Sequence, residues 1–100
     1  MKLMRINVIG EDESSNAQAR TYAEYKVFTA LAQHTQHVRG ARVVLRRDRP
    51  KGTCDSVACA VTVALLPSGS VSTRASGPHA YAAINRTVER LGDLMRRRAA

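Results

Sequence analysis

The sequence predicts an α+β fold of two layers in the order β-α-β-β-β-α, with both helices packed on one face of a four-stranded sheet. Three observations lead there. Two long stretches repeat apolar residues every three or four positions, the period of one face of a helix. Four shorter stretches alternate along the chain with the period of a strand. The last three of those are joined by short connections, which favours an antiparallel meander and a two-layer arrangement. One hundred residues, of which 44% are hydrophobic, suit a single domain over residues 1–100 with a modest core.

Residues 3–9 read as the first strand, where Met4, Ile6 and Val8 alternate with Arg5 and Asn7 before Gly10 ends it. The acidic turn at residues 11–15 supplies an N-cap, and its carboxylates suit a helix N-terminus. The spacing then predicts a helix over residues 15–34, with a stripe of Ala19, Tyr22, Ala23, Val27, Ala30 and Leu31 and with Phe28 at its edge. Gly40 reads as a turn. In the second strand, residues 41–48, Val43 and Leu45 point one way and Arg42, Val44 and Arg46 the other. Pro50 and Gly52 break a basic loop. The third strand, residues 56–66, puts Val57, Cys59, Val61, Val63 and Leu65 on one face and Ala58, Ala60, Thr62 and Ala64 on the other. Residues 67–70 form a hairpin loop, and residues 71–76 a short fourth strand. The final helix, residues 77–98, buries Tyr81, Ile84, Val88, Leu91 and Met95, with Pro78 in its first turn.

Charge points to the partner. The net charge is +8, and it is uneven: residues 1–40 hold five Lys/Arg against four Asp/Glu, whereas residues 41–100 hold eleven against four. Most of the basic residues are arginines, whose planar fork suits phosphate. A polyanion, nucleic acid above all, is the expected partner. The candidate contacts on the last helix are Arg86 and Arg90 with the run Arg96, Arg97 and Arg98. A second cluster is Arg46, Arg47, Arg49 and Lys51, and Arg74 lies on the fourth strand. Four aromatic residues and no Trp give little provision for stacking on single-stranded bases.

Other chemistries find no support. Cys54 and Cys59 lack the spacing of a zinc or redox pair, and they read as free thiols of a reducing cytosol, with Cys59 in the core. His34 and His37 are spaced for half a metal site, but nothing nearby completes it. His79 reads as an exposed surface residue. No nucleophile elbow or phosphate-binding glycine loop occurs, so neither catalysis, a cofactor, a metal nor a small-molecule substrate is expected. The N-terminus lacks a signal-peptide core, and the longest apolar run is too short to span a bilayer.

Several motifs, in order, resemble the ribosome hibernation-promoting factor family, also called the ribosome-associated inhibitor or protein Y family. They are residues 4–10, Met-Arg-Ile-Asn-Val-Ile-Gly; residues 42–46, Arg-Val-Val-Leu-Arg; and residues 61–75 around Pro67-Ser68-Gly69. The most specific is Tyr81-Ala82-Ala83-Ile84-Asn85 followed by Val88-Glu89-Arg90-Leu91. His79 and Asn85 stand where the family has aspartates, which marks a divergent member. The chain corresponds to a short one, without the dimer-forming second domain. The resemblance implies a cytoplasmic bacterial stress-response protein, a monomer when free. It would bind the small ribosomal subunit and its rRNA over the mRNA and tRNA sites and park the ribosome. By position, Arg20 and Lys26 on the first helix and Arg86, Arg90 and Arg97 on the last would contact that RNA. The alternatives are a double-stranded-RNA-binding-like module, whose α-β-β-β-α order is contained here, and a protein-interaction adaptor using the open sheet face or edge.

Overall fold

The computed structural model describes residues 5–10, 16–48 and 56–99. Its elements are β1 (Arg5–Gly10), α1 (Ala17–Leu31), a 3-10 helix (Ala32–His37), β2 (Val38–Asp48), β3 (Ser56–Leu65), β4 (Ser70–Gly77) and α2 (Ala80–Ala99). The sheet runs β1-β2-β3-β4. β1 is parallel to β2, joined through α1, and the other two pairings are antiparallel. α2 lies over β3 and β4; α1 lies beside it and reaches β1 and β2. This is the expected two-layer α+β order, with both helices on one face.

The core sits between those layers. Val43, Leu45, Cys59, Val61 and Val63 from the sheet meet Ala23, Val27 and Leu31 of α1 and Ile84, Leu91 and Met95 of α2. Each strand position follows from the alternation, because successive side chains of a strand point to opposite faces. In α1 the stripe of Ala19, Ala23, Val27 and Leu31 is buried as expected, whereas Phe28 is 48% exposed and Tyr25 65% exposed on the far side of the helix.

Boundaries shift for local reasons. α1 starts at the cap Asn16, whose Oδ1 accepts from the Ala19 N–H at 2.8 Å. The acidic turn at residues 11–15, read as the cap, lies outside the described residues. The α-helix stops at Leu31 and tightens into the 3-10 turn, where His34 leaves helical dihedrals (φ −122°). Gly40 is a strand residue rather than a turn: a Cβ there would sit 2.8 Å from the Arg5 carbonyl oxygen, so glycine lets β1 close onto β2. Gly69, with φ +95°, closes the β3–β4 hairpin in a conformation that favours glycine.

α2 begins at Ala80, so Pro78 precedes the helix instead of lying in its first turn. His79 is the cap residue, and its Nδ1 accepts from the Ala82 N–H at 3.2 Å. His79→Ala is therefore expected to cost about 1 kcal/mol in urea unfolding, and His79→Asp to recover it, since a carboxylate complements the helix N-terminus.

Thr87 is the one fully buried polar side chain among the described residues. Its hydroxyl lies 2.8 Å from the Ala83 carbonyl oxygen and 3.1 Å from that of Cys59, so its proton is shared between helix and strand. Beside it, burial pushes the Cys59 thiol from 9.0 up to about 11, opposed in part by its hydrogen bond with Thr87. Below pH 9 folded and unfolded chains both keep the proton, and the stabilisation is fully present. Between pH 9 and 11 only the unfolded chain ionises, so roughly 2–3 kcal/mol of stability is lost as pH rises. Cys59→Ala should remove that component, so the variant's unfolding free energy falls less steeply than the parent's across this window.

Candidate nucleic-acid interface

The helical period decides where the arginines of α2 go. At about 100° per residue, Arg86, Arg90 and Arg97 fall within one narrow row on the flank facing the free edge of β4. Arg86 and Arg90 are about 6 Å apart along the axis by the helical rise. Both are held there by the sheet. The Arg86 Nη1 donates to the Ser76 carbonyl oxygen at 2.8 Å, and the Arg90 Nη1 donates to the Arg74 carbonyl oxygen at 2.7 Å. Those carbonyls belong to alternate residues of β4, which pairs on one side with β3, so they point away from the ladder. One donor of each guanidinium is used, and the fork's remaining N–H groups are left for a ligand.

These two side chains, with Arg74 and Ser76, line an open cleft of about 460 Å³ floored by Ala58 and Ala75. It holds three arginines and no carboxylate among its described lining residues. Such a cleft attracts anions, and arginines already fixed by backbone contacts lose less conformational freedom when they bind one.

The same cleft opens onto the uncovered face of the sheet. The register puts Arg46 opposite Ala58, Ala58 opposite Ser76, and Ala60 opposite Arg74. Arg42 opposes Thr62, which in turn opposes Ser72. A floor of small β3 side chains is thus flanked by exposed Arg42 and Arg46 on β2 and Arg74 on β4, two strand spacings or roughly 10 Å apart. Arg5 and Arg39 continue the basic character at the far end, around Asn7.

Not all of the expected site residues converge. Arg46 and Arg47 project to opposite faces because they are strand neighbours. Arg49 and Lys51 lie outside the described residues. Arg20 and Lys26 are about 120° apart around α1 and do not form one patch. Lys26 lies on the side facing α2, with its Nζ 6.0 Å from the centre of the Tyr22 ring. That ring packs edge-on against Tyr81 at 5.0 Å, and its hydroxyl donates to Asn85 Oδ1 at 2.7 Å, clasping the two helices together. Arg96, Arg97 and Arg98 diverge as well. Arg96 pairs with Asp93 and lines the groove toward α1, Arg97 extends the row of Arg86 and Arg90, and Arg98 reaches a cavity at the end of the helix.

Sequence reasoning left Arg42 and Arg5 out of the site. The signal was present, since the alternation already set both opposite core residues, but clusters were chosen by adjacency along the chain. Phe28, expected at the edge of the α1 stripe, and Tyr81, expected in the buried face of α2, are both exposed aromatics in the structure.

No group of three or more potential metal ligands occurs among the described residues. No described helix is long and apolar enough to cross a membrane.

No protein-family model and no curated protein matches the sequence. Solved structures do. The fold is similar to that of a ribosomal subunit interface protein from Coxiella burnetii, at a TM-score of 0.77 and 14% identity, covering 97% of this chain and 100% of that one. It is also similar to the N-terminal domain of Thermus thermophilus protein Y, at a TM-score of 0.72 and 26% identity, covering 95% of this chain and 98% of that one. A protein named for the ribosomal subunit interface and the N-terminal domain of protein Y therefore share this β-α-β-β-β-α fold over nearly its whole length.

Proposed function

We propose that this chain is a ribosome-associated translation inhibitor of the hibernation-promoting, or protein Y, type. It acts without catalysis. In this reading residues 1–100 form the ribosome-binding domain, a monomer when free, which binds the rRNA of the small subunit over the mRNA and tRNA sites in the bacterial cytoplasm. The observation that carries it is the end-to-end match to the protein Y N-terminal domain at 26% identity. The row of Arg86, Arg90 and Arg97, with Arg74 beside it, supplies the chemistry: guanidinium groups set at fixed intervals for the phosphates of folded RNA.

A double-stranded-RNA-binding module would need only the α-β-β-β-α part. Here β1 is paired in register with β2 from Arg5 to Gly10 and α1 packs against it, so the first strand is integral to the fold. An adaptor binding through the β4 edge would find two of its carbonyls already occupied by arginine.

The test is co-sedimentation with purified small ribosomal subunits across a salt series, beside a plain RNA duplex. Four phosphate contacts predict that affinity for the subunit falls roughly 50- to 150-fold between 50 and 200 mM salt. Equal affinity for the duplex, or binding that ignores salt and survives nuclease, would reject the reading.

A further inference from the structure

The end of α2 that carries Arg98 closes over a second cavity, of about 330 Å³. Its floor is apolar. Leu65 and Met95 are buried at 7% and 3% exposure, and Leu66 and Pro67 form the wall beside them. Its rim is polar and basic, made by His34, His37 and Arg98 with Ser68. No carboxylate lines it among the described residues. The walls are tied together before any ligand arrives. The Leu66 N–H donates to the His37 carbonyl oxygen at 2.9 Å, joining the hairpin loop to the 3-10 helix, and the Leu65 N–H donates to Gly69 at 2.9 Å, closing the loop on itself.

We propose that this cavity binds a nucleoside monophosphate, with the base on the Leu65–Leu66–Met95 floor and the phosphate at Arg98 and the histidines. The volume lies at the small end of ligand sites, room for one nucleotide and not for a dinucleotide cofactor. A floor with no polar side chain excludes a bare inorganic anion as the best fit, and a basic rim excludes a neutral ligand. The flexible thioether of Met95 adapts to purine or pyrimidine rings. Its use on RNA rests on the ribosomal reading above. Arg98 lies about 100° around α2 from Arg97, so a strand following the row from Arg86 to Arg97 would turn over the end of the helix to reach this cavity, where one unstacked nucleotide would enter. The site itself is independent of that reading.

The experiment is an NMR titration of the whole chain with adenosine 5′-monophosphate and uridine 5′-monophosphate, with adenosine and inorganic phosphate as separate arms. The expected result is saturable shifts at the His34, His37 and Ser68 amides and the Met95 methyl. Nucleotide should bind at least tenfold tighter than phosphate or adenosine alone. Arg98→Glu should weaken it at least tenfold, and His37→Gln severalfold, with amide dispersion retained to show that both variants fold; both side chains are exposed. Phosphate binding as tightly as nucleotide, shifts gathered at Arg74, Arg86 and Arg90 instead, or an unchanged affinity in Arg98→Glu would each overturn the proposal. The titration contains no ribosome, so its failure leaves the co-sedimentation result standing, and the reverse holds too.

Discussion

Arg86→Glu combined with Arg90→Glu is expected to lower affinity for the small ribosomal subunit by two to four decades. Each lost hydrogen bond to a charged partner is worth about 1.5–3 kcal/mol, and tenfold in affinity is about 1.4 kcal/mol. The double change also sets carboxylates against the Ser76 and Arg74 carbonyl oxygens, which now accept from these arginines. That repulsion is structural and must be separated from lost phosphate binding. Arg86→Gln with Arg90→Gln keeps an N–H donor and removes the charge. If the row binds phosphate, this second pair also loses most of its affinity and its salt slope shrinks by about two phosphate contacts, while its melting temperature stays near that of the parent. Co-sedimentation of the Gln pair at parental strength would remove this row from the interface.

Leu91→Ala is expected to produce the largest loss of stability among single truncations of α2. Leu91 is fully buried at the centre of the helix, in the cluster with Ile84 and Met95. Removing it costs the transfer of three carbons and leaves a cavity that two packed layers collapse only partly, about 2–5 kcal/mol. For a chain of this size that lowers the melting temperature by roughly 10 °C or more, read by circular dichroism. Since domains hold about 5–15 kcal/mol in all, Leu91→Met serves as the control that keeps volume and most of the stability. A shift below 3 °C for Leu91→Ala would mean that α2 is not pinned to the sheet by this face.

Much of this fold was legible because two periods carry it. Val57, Cys59, Val61, Val63 and Leu65 announce β3 and its buried face, and Ile84, Leu91 and Met95 announce the face of α2. What escaped depends on contacts between distant residues. Gly40 resembles any turn glycine until the Arg5 carbonyl is seen against it. His79 is the exposed histidine it looks like, and only the Ala82 N–H shows it to be a cap as well. Thr87 sits at a core spacing, yet a single hydroxyl between two carbonyls becomes visible only once α2 lies on β3. The site divides in the same way. The sequence sets the arginines of α2 mostly off its apolar face, the resemblance names Arg86, Arg90 and Arg97 together, and the helical period places those three in one row. The sequence also groups Arg96–Arg97–Arg98 and Arg46–Arg47 by proximity along the chain, and those groups the helix and the pleat disperse.

The two arginine contacts to β4 have a bearing on how the protein behaves when crowded. A bare sheet margin is a template for another chain, and proteins defend such margins with charge or cover. Here Arg86 and Arg90 reach across from α2 and cover two carbonyls of that margin, and each leaves a positive charge over it. A second molecule approaching to extend the sheet would have to displace both and accept repulsion between like charges. The cations proposed to recruit a polyanion thereby also keep neighbouring copies from polymerising through their strands.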